Sequence, residues 1–178
     1  MTSSLRYLVG QTLTWMPTAT FKAQYSLMAP DGATLATLDM SNWTSKANAR
    51  VPEGTLFLHK EGWTGLKVAI YASEQGPLIA TYQRSWINTT HGQLELANGR
   101  QFTWRKINFW GTQKAWLDSA DNVTYAQFST SGFSRKTNVI IQQQGTELPE
   151  LSLLLVLGLY NILIERRDAA AHAAHASS

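Results

Sequence analysis

Residues 151–164, LSLLLVLGLYNILI, constrain this chain more than any other stretch. Eleven of the fourteen are apolar, with Ser152, Gly158 and Asn161 the exceptions. Leu dominates, and Leu favours helix over strand. Wound as a helix, the segment is apolar all the way round, and a helix without a polar stripe has to be enclosed, by protein or by lipid. Leu148, Pro149 and Glu150 suit a helix start, because Pro is tolerated in the first turn and Glu complements the N-terminal dipole. Arg166 and Arg167 suit the other end for the complementary reason. A helix at about 148–167 is therefore expected.

Length separates protein from lipid. At about 1.5 Å per residue the apolar run covers about 21 Å, short of a bilayer core of about 30 Å. The expectation is a helix buried in the core of the protein. A tail anchor carrying a β-rich head is the alternative. Residues 168–178, DAAAHAAHASS, form a low-complexity tail expected to prolong the helix briefly and then fray, with His172 and His175 solvated.

Everything before the helix reads as strands. In LKVAIY, Leu66, Val68 and Ile70 share a face; in GQLEL, Leu94 and Leu96 do. After Asn98-Gly99, Phe102 and Trp104 face one way and Gln101, Thr103 and Arg105 the other. Asn-Gly predicts a tight type I′ hairpin. Turn signals at Pro30-Asp31-Gly32, Pro52-Glu53-Gly54, Gly76-Pro77, Asp121-Asn122 and Ser131-Gly132 recur with no long helical period between them. The fold class that follows is mainly β: an antiparallel barrel of about ten to twelve strands enclosing the C-terminal hydrophobic helix, one domain over residues 1–167. A faint repeat accompanies this. DGATLATLDMSNW resembles QGPLIATYQRSW, and EGTLFL echoes HGQLEL, which points to two related β-units.

The composition narrows function mainly by exclusion. There is no cysteine, so disulfides, thiolate catalysis and Cys-ligated zinc are out. No G-x-S-x-G elbow, phosphate-binding loop or paired His motif occurs in the body of the chain, and no cofactor or metal is expected. His59 near Glu61 is the one acid–base pairing on offer, and such neighbours at a hairpin tip are commonly structural. The N-terminus has no long apolar stretch, so a cytoplasmic location is expected, peripheral to a membrane if the chain binds one. Net charge is +3, and seven Trp call for a large core, a ligand face or a membrane contact.

One stretch combines cations with aromatics. Residues 98–116, NGRQFTWRKINFWGTQKAW, hold Arg100, Arg105, Lys106 and Lys114 and no acid. These four are the candidate contacts for lipid headgroups. Phe109 and Trp110 fall between strand patterns and are the candidate membrane-facing aromatics, since Trp favours the headgroup level and surface cations favour anionic lipid. Stacking on single-stranded nucleic acid is a weaker fit. The simplest alternative is a core face backed by solvated cations.

Taken together, the Trp/Phe-rich meander, the LATL and PLIATY strands, the NGRQFTW hairpin and the terminal LPELSLLLVLGLYNILIERR resemble the Tubby C-terminal-like superfamily. The compact LURP-one-related members are similar in size, and the phospholipid scramblases belong to the same group. The resemblance implies a twelve-stranded barrel around a central helix. It also implies membrane-linked work: a non-enzymatic module binding phospholipid or phosphoinositide headgroups, or a protein partner. The scramblase features of a Cys cluster, a Pro-rich extension and an acidic calcium loop are missing from this sequence. A carrier of apolar ligand in an open barrel is a further alternative, disfavoured by the helix that fills the lumen.

Overall fold

The computed structural model describes residues 5–176. After a 3-10 turn at Leu5–Tyr7, the chain runs through β1 (Thr12–Pro17), β2 (Ala23–Met28), β3 (Thr34–Met40), β4 (Ala47–Val51), β5 (Gly54–Glu61) and β6 (Lys67–Tyr71). It continues with β7 (Leu78–Arg84), β8 (Gly92–Leu96), β9 (Gln101–Lys106), β10 (Gln113–Asp118), β11 (Thr124–Thr130) and β12 (Thr137–Ile141). A second 3-10 turn, Gln143–Glu147, leads into helix α1, Leu151–Ala176. Each strand pairs antiparallel with its neighbours in sequence, and β1 closes the ring on β12, with Thr12 opposite Ile140 and Trp15 opposite Thr137. The architecture is a closed up-and-down barrel of twelve strands with α1 inside.

The dimensions explain why the pieces fit. Twelve strands about 4.8 Å apart give a circumference of about 58 Å before tilt, hence a backbone diameter of about 18 Å or more. A helix with its side chains needs about 10–12 Å. Strand alternation lines the lumen with Leu13, Trp15, Leu27, Leu38, Leu58, Ile70, Tyr82, Leu94, Phe102, Trp104, Trp116, Phe128, Val139 and Ile141, all buried. Residues 151–164 of α1 are buried without exception. Where the ring is most crowded the helix thins: a Cβ on Gly158 would lie 2.3 Å from Phe128 Cζ.

The predicted barrel, its enclosed helix, and the inward Phe102 and Trp104 are all present. Among the described residues no helix is long and apolar enough to cross a membrane. α1 lies in the lumen, the place a tail anchor would have to leave and a carried ligand would have to share.

Three local expectations change. The helix begins at Leu151 and continues to Ala176 instead of fraying after Arg167. Ala is the best helix former, so a helix nucleated in the barrel propagates through the Ala-rich tail at little cost. The β8–β9 turn has positive φ at Gly99 alone (φ 84), and Gly99 N–H donates to Leu96 O, which makes it a type I turn closed by a glycine bulge, not type I′. The repeat does not divide the barrel into halves. LATL and IATY do lie in equivalent strands, β3 and β7, but EGTLFL falls in β5 and HGQLEL in β8, which run in opposite directions. The buried Asn161 amide leaves its Nδ2 without a protein partner among the described residues.

Candidate functional site

An up-and-down barrel sorts its loops between two ends. Even strands run toward the end where α1 enters, here the bottom; odd strands run toward the end where α1 leaves, the top. The top therefore carries loops 18–22, 41–46, 62–66, 85–91, 107–112 and 131–136. The bottom carries loops 29–33, 52–53, 72–77, 97–100 and 119–123.

Charge follows the same division. The top loops hold Lys22, Lys46, Arg135 and Lys136 and no Asp or Glu. The bottom loops hold Asp31, Glu53, Glu74 and Asp121 against Arg100 alone, with Glu147 and Glu150 beside them before α1. A net charge of +3 thus conceals a strongly polarised molecule.

The rim where α1 emerges adds to the positive end. Inward strand positions at the top are occupied by Lys60, Arg84, Lys106 and Lys114, and α1 presents Glu165, Arg166, Arg167 and Asp168 to them. Arg84, 6% exposed, pairs with Asp168 at 3.0 Å and donates from Nε to Thr89 O. Lys114 pairs with Glu165, both largely buried. Arg166 donates to Ser134 O, and Arg167 to Ser41 O and Thr44 O. The helix is latched to four sides of the rim. Burial pushes the Lys60 ammonium below its ordinary range, and Asp168 offsets part of that. Burial, then Lys106 and Arg105, likewise lower His91. Among the described residues Lys22, Lys46, Arg105, Lys106, Arg135, Lys136, Arg166 and Arg167 take part in no ion pair.

The stretch 98–116 that looked like one patch is divided by this geometry. Arg100 sits at the bottom, where it pairs with Glu150 at 3.5 Å, lies 4.0 Å from Asp118 and donates to Tyr125 Oη. β9 separates it from Lys106 by about 20 Å. Lys114 is on the correct end but points inward at Glu165 and is not available to a headgroup. A strand reverses the exposure of neighbours, so adjacency in sequence did not give adjacency in space. Arg105 (half-buried, outward), exposed Lys106, and exposed Phe109 and Trp110 remain together at the top. Phe109 and Trp110 stack edge-on, centroids 5.3 Å apart, at the tip of loop 107–112.

A cleft of about 350 Å³ opens beside α1 between loops 18–22 and 131–136. Lys22, Arg135, Arg166 and Arg167 line it together with Phe21 and Asn42, and no carboxylate does. Arg135 spans it, donating to the carbonyls of Ala19, Thr20 and Lys22. The sequence marked Arg166 and Arg167 only as a helix end and gave no sign of the cleft, because its lining comes from four distant segments. A larger groove, about 670 Å³, lies on the flank of β2–β4 and is mixed in character.

The one acid–base pairing on offer in the sequence has both members engaged with other side chains. His59 stacks on Phe57, and Glu61 is taken by Lys67 at 3.1 Å and by the Tyr71 hydroxyl. No group of three His, Cys, Asp or Glu side chains among the described residues could hold a metal ion.

No family model and no curated protein matches this chain. Among solved structures, a protein from Arabidopsis thaliana with an X-ray structure is similar at TM-score 0.57 and 11% identity, over 94% of this chain and 98% of that one. At that identity the likeness establishes a shared fold, the closed barrel with its central helix, over nearly the full length of both chains.

Proposed function

We propose that this protein is a non-enzymatic binding module that attaches peripherally to anionic phospholipid surfaces through the top of the barrel. The observation that carries it is the segregation of charge: top loops with cations and no acid, bottom loops with acids and one cation. Such a dipole orients the molecule in the field of an anionic membrane before contact. The cleft lined by Lys22, Arg135, Arg166 and Arg167 is of a size and charge to seat a phosphate-bearing headgroup, phosphoinositide included. The twelve-stranded barrel with a central helix is also the architecture implied by the resemblance to the Tubby C-terminal-like superfamily.

The test is flotation of the purified protein with phosphatidylcholine vesicles and with vesicles containing phosphatidylserine, at low and high salt. Binding confined to the anionic vesicles and weakened by salt is expected. Lys22→Glu with Lys136→Glu should abolish it without altering the melting temperature, since both side chains are exposed. A protein that never floats refutes the proposal and turns attention to a protein partner.

A further inference from the structure

The aromatic residues are sorted as sharply as the charges. Of the seven Trp, Trp15, Trp104 and Trp116 are buried in the barrel; Trp43, Trp63, Trp86 and Trp110 stand on top loops. Of the six Phe, Phe57, Phe102 and Phe128 are buried, and Phe21, Phe109 and Phe133 stand on top loops. Every one of the six top loops projects at least one of these rings, each 80% exposed or more. The five bottom loops contain no Trp or Phe at all. Leaving one large ring in water is ordinary, as with Tyr7 at the bottom; placing a Trp or Phe on each of six loops around one end, and none on the loops of the other, is not.

We infer that the six top loops form an aromatic crown that seats the barrel end-on in a bilayer, with the rings entering the headgroup layer and the barrel axis along the membrane normal; this rests on the membrane-binding role proposed above. Three observations select a bilayer as the occupant. Trp and Phe rings on separated tips, with Lys22, Lys46 and Lys136 between them and no acid, match the interfacial layer of an anionic membrane, which takes an amphipathic ring and a cation at the same depth. The rings belong to six different hairpins and surround α1 without lining one groove, so they offer no single pocket for a protein's side chain. Finally, α1 rises from the centre of the crown and continues past Asp168 to Ala176, a further eight residues or about 12 Å. A rigid partner would meet that helix before it met all six tips. A fluid headgroup layer parts around it, and the protruding turns, Ala and His with no acid after Asp168, are compatible with that layer.

The experiment exploits the lack of cysteine. Single cysteines are placed one per top loop, for example Thr44→Cys, Thr64→Cys and Ser131→Cys, with Gln75→Cys at the bottom as control, each labelled with a polarity-sensitive dye. Labelled proteins are mixed with phosphatidylcholine/phosphatidylserine vesicles with and without brominated acyl chains. In parallel, the variant carrying Trp43→Ala, Trp63→Ala, Trp86→Ala and Trp110→Ala is compared with wild type by flotation. Expected are blue-shifted, bromine-quenched signals from all six top loops, none from position 75, and a loss of vesicle affinity of tenfold or more in the quadruple variant with its melting temperature preserved. Wild type that floats while the quadruple variant floats equally well, or while quenching is confined to loop 107–112, overturns the crown and leaves the binding module standing. Wild type that never floats overturns both.

Discussion

At the scale of single residues, Gly158 shows how a blemish in the sequence becomes a necessity in the fold. Inside a helix, Gly costs about 1 kcal/mol relative to Ala. Here the missing Cβ makes room for the Phe128 ring, which is itself fixed edge-on against Trp104 at 5.2 Å. Gly158→Ala should therefore destabilise the protein despite its better propensity, since overpacking costs about 1–3 kcal/mol against the ~1 kcal/mol gained, for a net loss of up to about 2 kcal/mol. Urea denaturation checks this, and a raised midpoint would show that Phe128 yields. Alternation alone had placed Phe102 and Trp104 inside. It could not identify Phe128 as the neighbour of Gly158, because thirty residues separate them in the chain, with β12 and a 3-10 turn between.

Among the elements, α1 changes character along its length. Its first fourteen residues are held by apolar packing and its next four by charge. Lys114 and Arg84 are each less than a tenth exposed and each faces a carboxylate of the helix. Removing one member of a buried pair strands the other and costs about 3–5 kcal/mol, whereas replacing both by apolar groups is often close to neutral. Glu165→Gln should thus cost about 3 kcal/mol, and Lys114→Met combined with Glu165→Leu should recover most of it. Equilibrium denaturation of the single and double variants gives the comparison; costs that simply add would mean the pair is uncoupled. The sequence marked Arg166 and Arg167 as favourable at a helix end. The latch itself was not legible there, because its strand partners lie far off in β7 and β10: Arg84 belongs to no binding motif, and Lys114 reads as a headgroup candidate.

For the molecule as a whole, the barrel and its helix form one cooperative object. Without α1 the apolar lining of a ring about 18 Å across would face water, so the strands depend on the helix between them. Leu155, 1% exposed at mid-helix, is a decisive probe. Leu155→Asp would place a charge in an apolar lumen, which the fold can tolerate only by opening. The expected result is loss of the cooperative thermal transition of the entire domain, followed by circular dichroism in the β-region. A mutant that melts like wild type would mean the helix is dispensable.

From the sequence by itself came the architecture. An all-round apolar run too short for a bilayer, together with six turn signals and strand-period alternation, leaves few folds other than a ring around a helix. Those are local, periodic signals, and local periodicity survives in the order of the residues. Only the tertiary structure decided the site. In a closed meander successive loops alternate between two ends, so residues five apart in sequence part company while loops forty residues apart become neighbours. Arg100 left the patch for the bottom, Lys114 turned inward, and Phe21, Trp43, Trp63, Trp86 and Phe133 joined Phe109 and Trp110 at the top. The positive, aromatic face exists because closure of β1 on β12 gathers six separate hairpin tips at one end.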